Sequence, residues 1–211
     1  GLTQQIINTL TPHVQQYNLS RRTALMGIVK LSGNTPGGIT NDQKKRIVSD
    51  ATTRPQTIDF SRHNITDSIL NILFSPPLND LFISLTELKL GNNQIVNIGP
   101  LAGLIKLNHL ELDSNQIVNI GPLAGLINLT RLYLSRNQII NIGPLAGLIH
   151  LTVLFLGFNR IVNIGPLAIL INLTALFLGN NQIVNIGPLA GLINLLWLNL
   201  NNNQIVNIGP L

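Results

Sequence analysis

The chain has 211 residues, a net charge of +5, no cysteine, and eight Asp and Glu against thirteen Lys and Arg. The basic balance comes from few acidic residues and not from a dense basic patch, so a nucleic-acid partner is not implied. Asn and Gly break every apolar stretch, which argues against a membrane-spanning helix, and the lack of cysteine excludes disulfide-bonded caps.

The first 52 residues are not periodic and are predicted to form roughly two to four short helices. Pro12, which follows Thr11, is typical of the first position of a helix. Thr40 and Gln43 have the spacing of a capping box at a later helix start. A Gly-rich stretch at residues 33–38 lacks the Lys-Ser/Thr pair that completes a phosphate-binding loop, so we interpret it as a linker.

Residues 55–84 are a degenerate form of the repeat described below, with His63 where the repeat has Asn. The next equivalent Leu, Leu88, comes eight residues later than the 22-residue spacing requires. The extra residues are predicted to form a helix, Asp67–Phe74, followed by a loop. We expect residues 1–84 to form a helical N-terminal cap that shields the open end of the apolar array. The alternative is that its first helices are a separate enzymatic or targeting module.

Residues 85–211 hold about six copies of one unit, repeated every 22 residues. The segment Leu-Lys-Leu-Gly-Asn-Asn-Gln-Ile at residues 88–95 returns as Leu-Glu-Leu-Asp-Ser-Asn-Gln-Ile at residues 110–117. One Asn recurs without a slip, as Asn93, Asn115, Asn137, Asn159, Asn181 and Asn203. A unit made of one short strand and a return cannot bury its apolar face alone, so the units must stack. The chain stops partway through a unit, and we expect the native array to continue.

Seven apolar positions in each unit are predicted to point inward and to form stacked ladders. In one unit they are Leu107, Leu110, Leu112, Ile117, Ile120, Leu123 and Leu126. Residues 109–113 alternate polar and apolar, which predicts a strand with one buried side. The Asn that follows can donate and accept hydrogen bonds, so these Asn side chains should form a ladder. The pair Gly121-Pro122 then predicts a short 3₁₀ return.

The unit L-x-x-L-x-L-x-x-N-x-I-x-x-I-x-x-L-x-x-L-x-x resembles the 22-residue class of leucine-rich repeat found in bacterial internalins. The phrase Asn-Ile-Gly-Pro-Leu-Ala-Gly-Leu-Ile-Asn-Leu is especially similar to internalin repeats. The resemblance covers about residues 85–211. It implies an α/β leucine-rich-repeat solenoid with a curved parallel β-sheet on the concave face and 3₁₀ or extended returns on the convex face. Fold alone does not assign function.

Members of this family bind proteins, so the resemblance implies a non-catalytic protein-binding module. It would recognise or inhibit a partner, either a host protein or another bacterial effector, as a surface protein or as an effector injected into a host cell. A secreted, surface-exposed or translocated location and a monomeric state are expected. One alternative is the substrate-recognition domain of a longer effector enzyme, such as a ubiquitin ligase. Another is a phosphatase regulatory subunit, because the repeats of one eukaryotic subunit are also similar.

The outward positions of the strands vary from unit to unit, whereas the ladders and returns barely change. Their N-terminal half is charged and their C-terminal half is aromatic. Exposed aromatics with an Arg rim resemble a binding hot spot. The predicted partner-binding residues are Lys89, Glu111, Asp113, Arg131, Tyr133, Arg136, Phe155, Phe158, Phe177 and Trp197. The alternative is that the rings pack on one another and only stabilise the sheet.

The charged end carries residue types that can bind a metal, because His109, Glu111 and Asp113 alternate along one strand and Glu87 lies one strand away. Lys89 beside Glu111 would repel a cation, so no metal is expected. No nucleophile has a placed base, and neither a cofactor nor an enzymatic activity is expected. Two further apolar columns are expected to be partly buried, namely those that begin with Val96 and Ile105.

Overall fold

The computed structural model describes residues 56–74, 82 and 84–209. The helices predicted before residue 53 and the loop predicted after Phe74 lie outside the described residues. Among those that are described, seven short parallel strands form one open sheet in chain order. They are β1 Thr57–Asp59, β2 Glu87–Lys89, β3 His109–Glu111, β4 Arg131–Tyr133, β5 Val153–Phe155, β6 Ala175–Phe177 and β7 Trp197–Asn199. The predicted solenoid with a sheet of parallel strands is confirmed.

The register of the sheet follows directly from the repeat. Leu88 of β2 pairs with Leu110 of β3, and that residue pairs with Leu132 of β4, so positions 22 residues apart are neighbours. The middle residue of each strand from β1 to β6 is fully buried, and the residues on either side of it face the concave surface. Equivalent side chains on neighbouring strands therefore stand about 5 Å apart in columns.

The returns are short 3₁₀ helices, as the Gly-Pro pairs predict. They span Gly99–Gly103, Gly121–Gly125, Gly143–Gly147, Gly165–Ile169 and Gly187–Leu189. Each begins with Pro in its first turn, where the missing amide leaves no hydrogen bond unmade. The first unit differs, because its return is the predicted helix α1, Asp67–Phe74. The Asp67 carboxylate at the start of α1 accepts hydrogen bonds from the amides of Val96 (2.8 Å) and Asn97 (3.0 Å), which joins α1 to the next unit.

The predicted Asn ladder is present, and Asn137 shows how it works. Its Nδ2 donates to Leu112 O (3.0 Å) in the preceding unit and to Leu134 O (3.0 Å) in its own. Its Oδ1 accepts from Ile117 N (3.0 Å). Each Asn thus satisfies buried backbone groups of two units at once, and this links the units across the turn that leaves the strand. In the unit from Leu107 to Leu126 the seven predicted inward side chains are at most 1% exposed, and four of the equivalent side chains in the last unit are partly buried.

The two further apolar columns are half-exposed, in agreement with the expected partial burial. Side chains of the Val96 and Ile105 columns are between 44% and 55% exposed in all but the last unit. They flank the return and leave an uncharged apolar stripe on each side of it. Within the described residues, no helix combines the length and apolarity that crossing a bilayer would demand.

Candidate protein-binding surface

The concave face presents two columns of side chains from the strands. The first column is Glu87, His109, Arg131, Val153, Ala175 and Trp197, and the second is Lys89, Glu111, Tyr133, Phe155, Phe177 and Asn199. Because the register never slips, each residue of a column lies against its equivalents in the units before and after it. The charged residues of the N-terminal half and the aromatic residues of the C-terminal half therefore lie in separate parts of the concave face, as predicted.

The charged end is an ion-pair network centred on Lys89. Its Nζ lies 3.1 Å from Glu111 Oε1 and 3.4 Å from Glu87 Oε1. Burial lowers the pKa of Lys89, but the hydrogen bonds and charges of Glu111 and Glu87 outweigh it and raise that pKa. His109 joins the network, with Nδ1 3.5 Å from Glu87 Oε1 and Nε2 3.0 Å from Glu111 Oε1, the latter without hydrogen-bond alignment. In the described part of the chain, no three His, Asp or Glu side chains converge as metal ligands would.

Asp113 is turned toward its own scaffold. Its Oδ1 accepts a hydrogen bond of 2.7 Å from the amide of Ser135 in the next unit. Burial raises the pKa of Asp113 to about 6, and the charge of Glu111 adds to the rise, although the hydrogen bond from Ser135 opposes it. This carboxylate is consequently less available to a partner than Lys89 or Glu111, the other predicted binding residues of the charged end.

The aromatic column is a continuous stack. Tyr133 and Phe155 have ring centroids 4.9 Å apart at 27°, and Phe155 and Phe177 lie 4.1 Å apart at 16°. His109 extends the stack, 5.4 Å from Tyr133. The rings cover one another's faces, so they do stabilise the sheet. They are still only partly buried, and the stack leaves a rigid apolar ridge across the concave face.

Trp197 and Arg131 lie in the first column, beside this ridge. Trp197 is 62% exposed on β7, and Arg131 is exposed on β4. Both are accessible from the concave side, where the sequence places them.

A feature that the sequence did not reveal is the left-handed turn after each strand. Arg136 (φ 57°) and Phe158 (φ 58°) occupy this turn, and the guanidinium of Arg136 lies 4.4 Å from the centroid of the Phe158 ring. A left-handed φ is unfavourable for such side chains and costs on the order of 1–3 kcal/mol. Asn tolerates this conformation better, and Asn92, Asn180 and Asn202 stand at the same place in other units. Those Asn residues were the signal that could have identified the turn.

Between the ridge and this turn lies a hollow of about 270 Å³, which we call the glycine groove. Its floor is Gly157, and it is lined by Phe155 and Phe177 next to the ridge and by Arg136 and Phe158 next to the turn. The polar residues of the lining are Ser135, Asn180, Asn199 and Asn201. The side chains of Asn199 and Asn201 cover Gly179, because a Cβ on that residue would clash with both of their Oδ1 atoms. Asp113, Ser135 and Asn201 carry side chains at the floor position of other units, and Gly91 is the remaining glycine in this column. The missing side chain of Gly157 therefore opens the hollow beside the Phe rings.

Comparison with known proteins agrees with this architecture. The family model for leucine-rich repeats in two copies matches residues 83–125 and 127–169. A search of curated proteins gave no match. Among solved structures, the leucine-rich repeat ectodomain of the plant membrane receptor kinase GASSHO1/SCHENGEN3 from Arabidopsis thaliana, in complex with CASPARIAN STRIP INTEGRITY FACTOR 2, is 24% identical with a TM-score of 0.57, over 70% of this chain and 21% of its own. That likeness concerns the fold alone.

Two internalins from Listeria monocytogenes are more similar in sequence. Internalin inlF is 33% identical with a TM-score of 0.64, over 73% of this chain and 49% of its own, so the chain spans about half of that protein's length. Internalin C2 is 33% identical with a TM-score of 0.58, over 88% of this chain and 86% of its own. With a third of its residues identical along most of internalin C2, and with the same strand-and-return unit, the chain belongs to the internalin-like leucine-rich repeat proteins.

Proposed function

We propose that this protein is a non-catalytic binding module that recognises or inhibits a protein partner through its concave face. The leucine-rich repeat is a protein-interaction scaffold, and the concave assignment rests on one observation. Unit-to-unit variation is concentrated in the two concave columns and the turn beside them, while the core and returns stay almost constant. A scaffold that only stabilised itself would have no reason to vary there.

The aromatic ridge supports the same proposal. Tyr133, Phe155 and Phe177 hold one another in fixed positions, so binding would immobilise few rotamers and lose little entropy. Aromatic and Arg side chains are the residue types that dominate binding energy at protein interfaces. The Lys89 network at the other end of the face carries both signs of charge and would set the orientation of the partner.

The internalin resemblance favours a bacterial surface protein or an injected effector, with a host protein or another effector as partner. A secreted, surface-exposed or translocated location belongs to the same proposal, as does a monomeric state. The chain spans about half of internalin inlF, so the recognition domain of a longer enzyme, such as an effector ubiquitin ligase, stays as the second candidate. A phosphatase regulatory subunit is the third.

The test compares capture of proteins by the full chain and by two triple variants. The concave variant carries Tyr133→Ala, Phe155→Ala and Phe177→Ala. The convex control carries Ile105→Ala, Ile127→Ala and Ile149→Ala, which change side chains about half-exposed outside the concave face. Circular dichroism verifies that both fold. Proteins lost by the concave variant and kept by the convex control support the proposal, and the opposite pattern contradicts it.

A further inference from the structure

The glycine groove has the size and polarity to receive one side chain. Its volume of about 270 Å³ lies just below the roughly 300–1,000 Å³ of pockets that hold whole small ligands. The carbonyls of its two glycines are already satisfied, because Gly157 O accepts from Arg136 N (2.9 Å) and Gly179 O accepts from Phe158 N (2.9 Å). An apolar group could cover these carbonyls without depriving them of hydrogen bonds. Over Gly157 the rings of Phe155, Phe177 and Phe158 suit an aromatic side chain, while Ser135, Asn180, Asn199 and Asn201 give the groove a polar edge.

The rim of the groove carries a cation with no counter-charge. Among the described residues, Arg136 pairs with no carboxylate, and its guanidinium is held over the Phe158 ring. A guanidinium in a fixed orientation can bind a carboxylate through two parallel hydrogen bonds. The rim of this groove therefore suits an acidic side chain.

The charge of the surrounding units agrees with an acidic ligand. After Asp113 the sequence contains Arg131, Arg136 and Arg160 and no acidic residue. All three are exposed, so residues 114–160 carry three positive charges and no negative one, and no charged residue follows. Such a field speeds the approach of an acidic segment and disfavours a basic one.

The left-handed turn at the rim is occupied by residues that tolerate it poorly, as it is at Arg62 and Ser114, whereas Asn tolerates it in three other units. Arg136 and Phe158 hold the left-handed turn that Asn180 and Asn202 hold in the next two units. Those two Asn side chains bond to each other, with Asn202 Nδ2 3.0 Å from Asn180 Oδ1. Strain at a position that another residue would relieve indicates that the side chains serve something other than stability.

We propose that the glycine groove binds an aromatic side chain of the partner, and that the residue next to it supplies a carboxylate to Arg136. The ligand is an acidic protein segment with an aromatic residue beside an Asp or Glu. This inference rests on the concave-face function proposed above and adds the chemistry of the partner.

The test selects a random-peptide phage library on the full chain and measures the enriched peptide by calorimetry. The expected peptides carry an aromatic residue beside Asp or Glu. Exchange of that acid for its amide, or Arg136→Asn in the protein, should weaken binding about tenfold. Phe158→Asn and Gly157→Ala should weaken it as well, the second because a Cβ would intrude into the groove and lie 3.2 Å from Gly179 O.

The matched control is Gly91→Ala, at the same position of a unit outside the groove, where the added Cβ would meet Asp113 O at an ordinary 3.6 Å. It should bind the peptide as the wild type does. Three results overturn the inference: no enrichment, enrichment of peptides without an acid, or full binding by Phe158→Asn. If a protein partner loses affinity for Phe155→Ala but binds Phe158→Asn as it binds the wild type, the groove proposal is wrong and the concave-face function stands. If no partner loses affinity when the aromatic ridge is removed, the concave-face function itself is wrong.

Discussion

Asp113 accepts a 2.7 Å hydrogen bond from the backbone amide of Ser135, one unit further along the solenoid. The bond keeps the carboxylate half-buried between units, and burial raises its pKa to about 6 from the usual 3.8. A raised carboxyl pKa means that the folded state binds the proton more readily than the unfolded chain. The charged form of Asp113 therefore lowers stability above about pH 6, and this penalty is lifted as the pH falls toward 3.8.

The first prediction follows from the destabilising effect of the Asp113 charge. Asp113→Asn keeps an oxygen acceptor for Ser135 N and removes the charge, so it should raise the free energy of unfolding near neutral pH by about 1 kcal/mol, after allowance for solvent screening. The gain should shrink as the pH is lowered from about 7 to about 4. Urea unfolding of both proteins at several pH values measures it. A gain that grows on acidification would contradict the assignment.

The second prediction concerns the Asn ladder. Asn137→Leu would leave Ile117 N without its acceptor, which should cost roughly 1–3 kcal/mol. Leu112 O would lose one of its two amide donors and keep Asn115 Nδ2. The control is Asn128→Leu, because Asn128 is exposed and makes one bond, to Ile105 O. Urea midpoints report both changes. An unchanged midpoint for Asn137→Leu would mean that water can replace the ladder.

The third prediction compares the replacement of Phe by Asn at two positions. Phe158→Asn replaces a strained residue in the left-handed turn by one that tolerates it, so stability should stay the same or rise by up to about 1 kcal/mol. Phe177→Asn removes a ring from the stack and should lower stability by roughly 0.5–1.5 kcal/mol. Thermal unfolding compares the two. Equal losses would show that Phe158 contributes to the fold and that its turn is not strained.

Most of the fold could be predicted because the 22-residue period determines the register. Because Asn93 and Asn115 are equivalent positions of the repeat, the strands before them must pair in that register. The Asn ladder and the 3₁₀ returns then follow from the residue types. The turn at Arg136 and Phe158 could not be predicted as easily, because its conformation is independent of the side chains that happen to occupy it. The hollow over Gly157 arises only when neighbouring columns are assembled. The orientation of the Asp113 side chain could not be predicted either, because it depends on a hydrogen bond from Ser135 N in the next unit.

The fourth prediction concerns the charged end of the concave face. Lys89 lies between the carboxylates of Glu87 and Glu111, so Lys89→Ala makes this end more negative. The association rate with a protein partner should change, together with its salt dependence, while the dissociation rate stays nearly constant. Surface plasmon resonance at low and high salt separates the two rates. A change confined to dissociation would indicate that Lys89 lies inside the contact.

The last prediction is that Phe155 is the energetic centre of binding. It lies between Tyr133 and Phe177, 4.9 Å and 4.1 Å from their ring centroids, and it also forms a wall of the glycine groove. Phe155→Ala should weaken partner binding by about 2 kcal/mol, or roughly thirtyfold, mainly through faster dissociation. Ile149→Ala, which changes a half-exposed side chain outside the concave face, should leave the affinity unchanged. Calorimetric titration of both folded variants decides the matter: if Ile149→Ala weakens binding and Phe155→Ala does not, the partner binds outside the concave face.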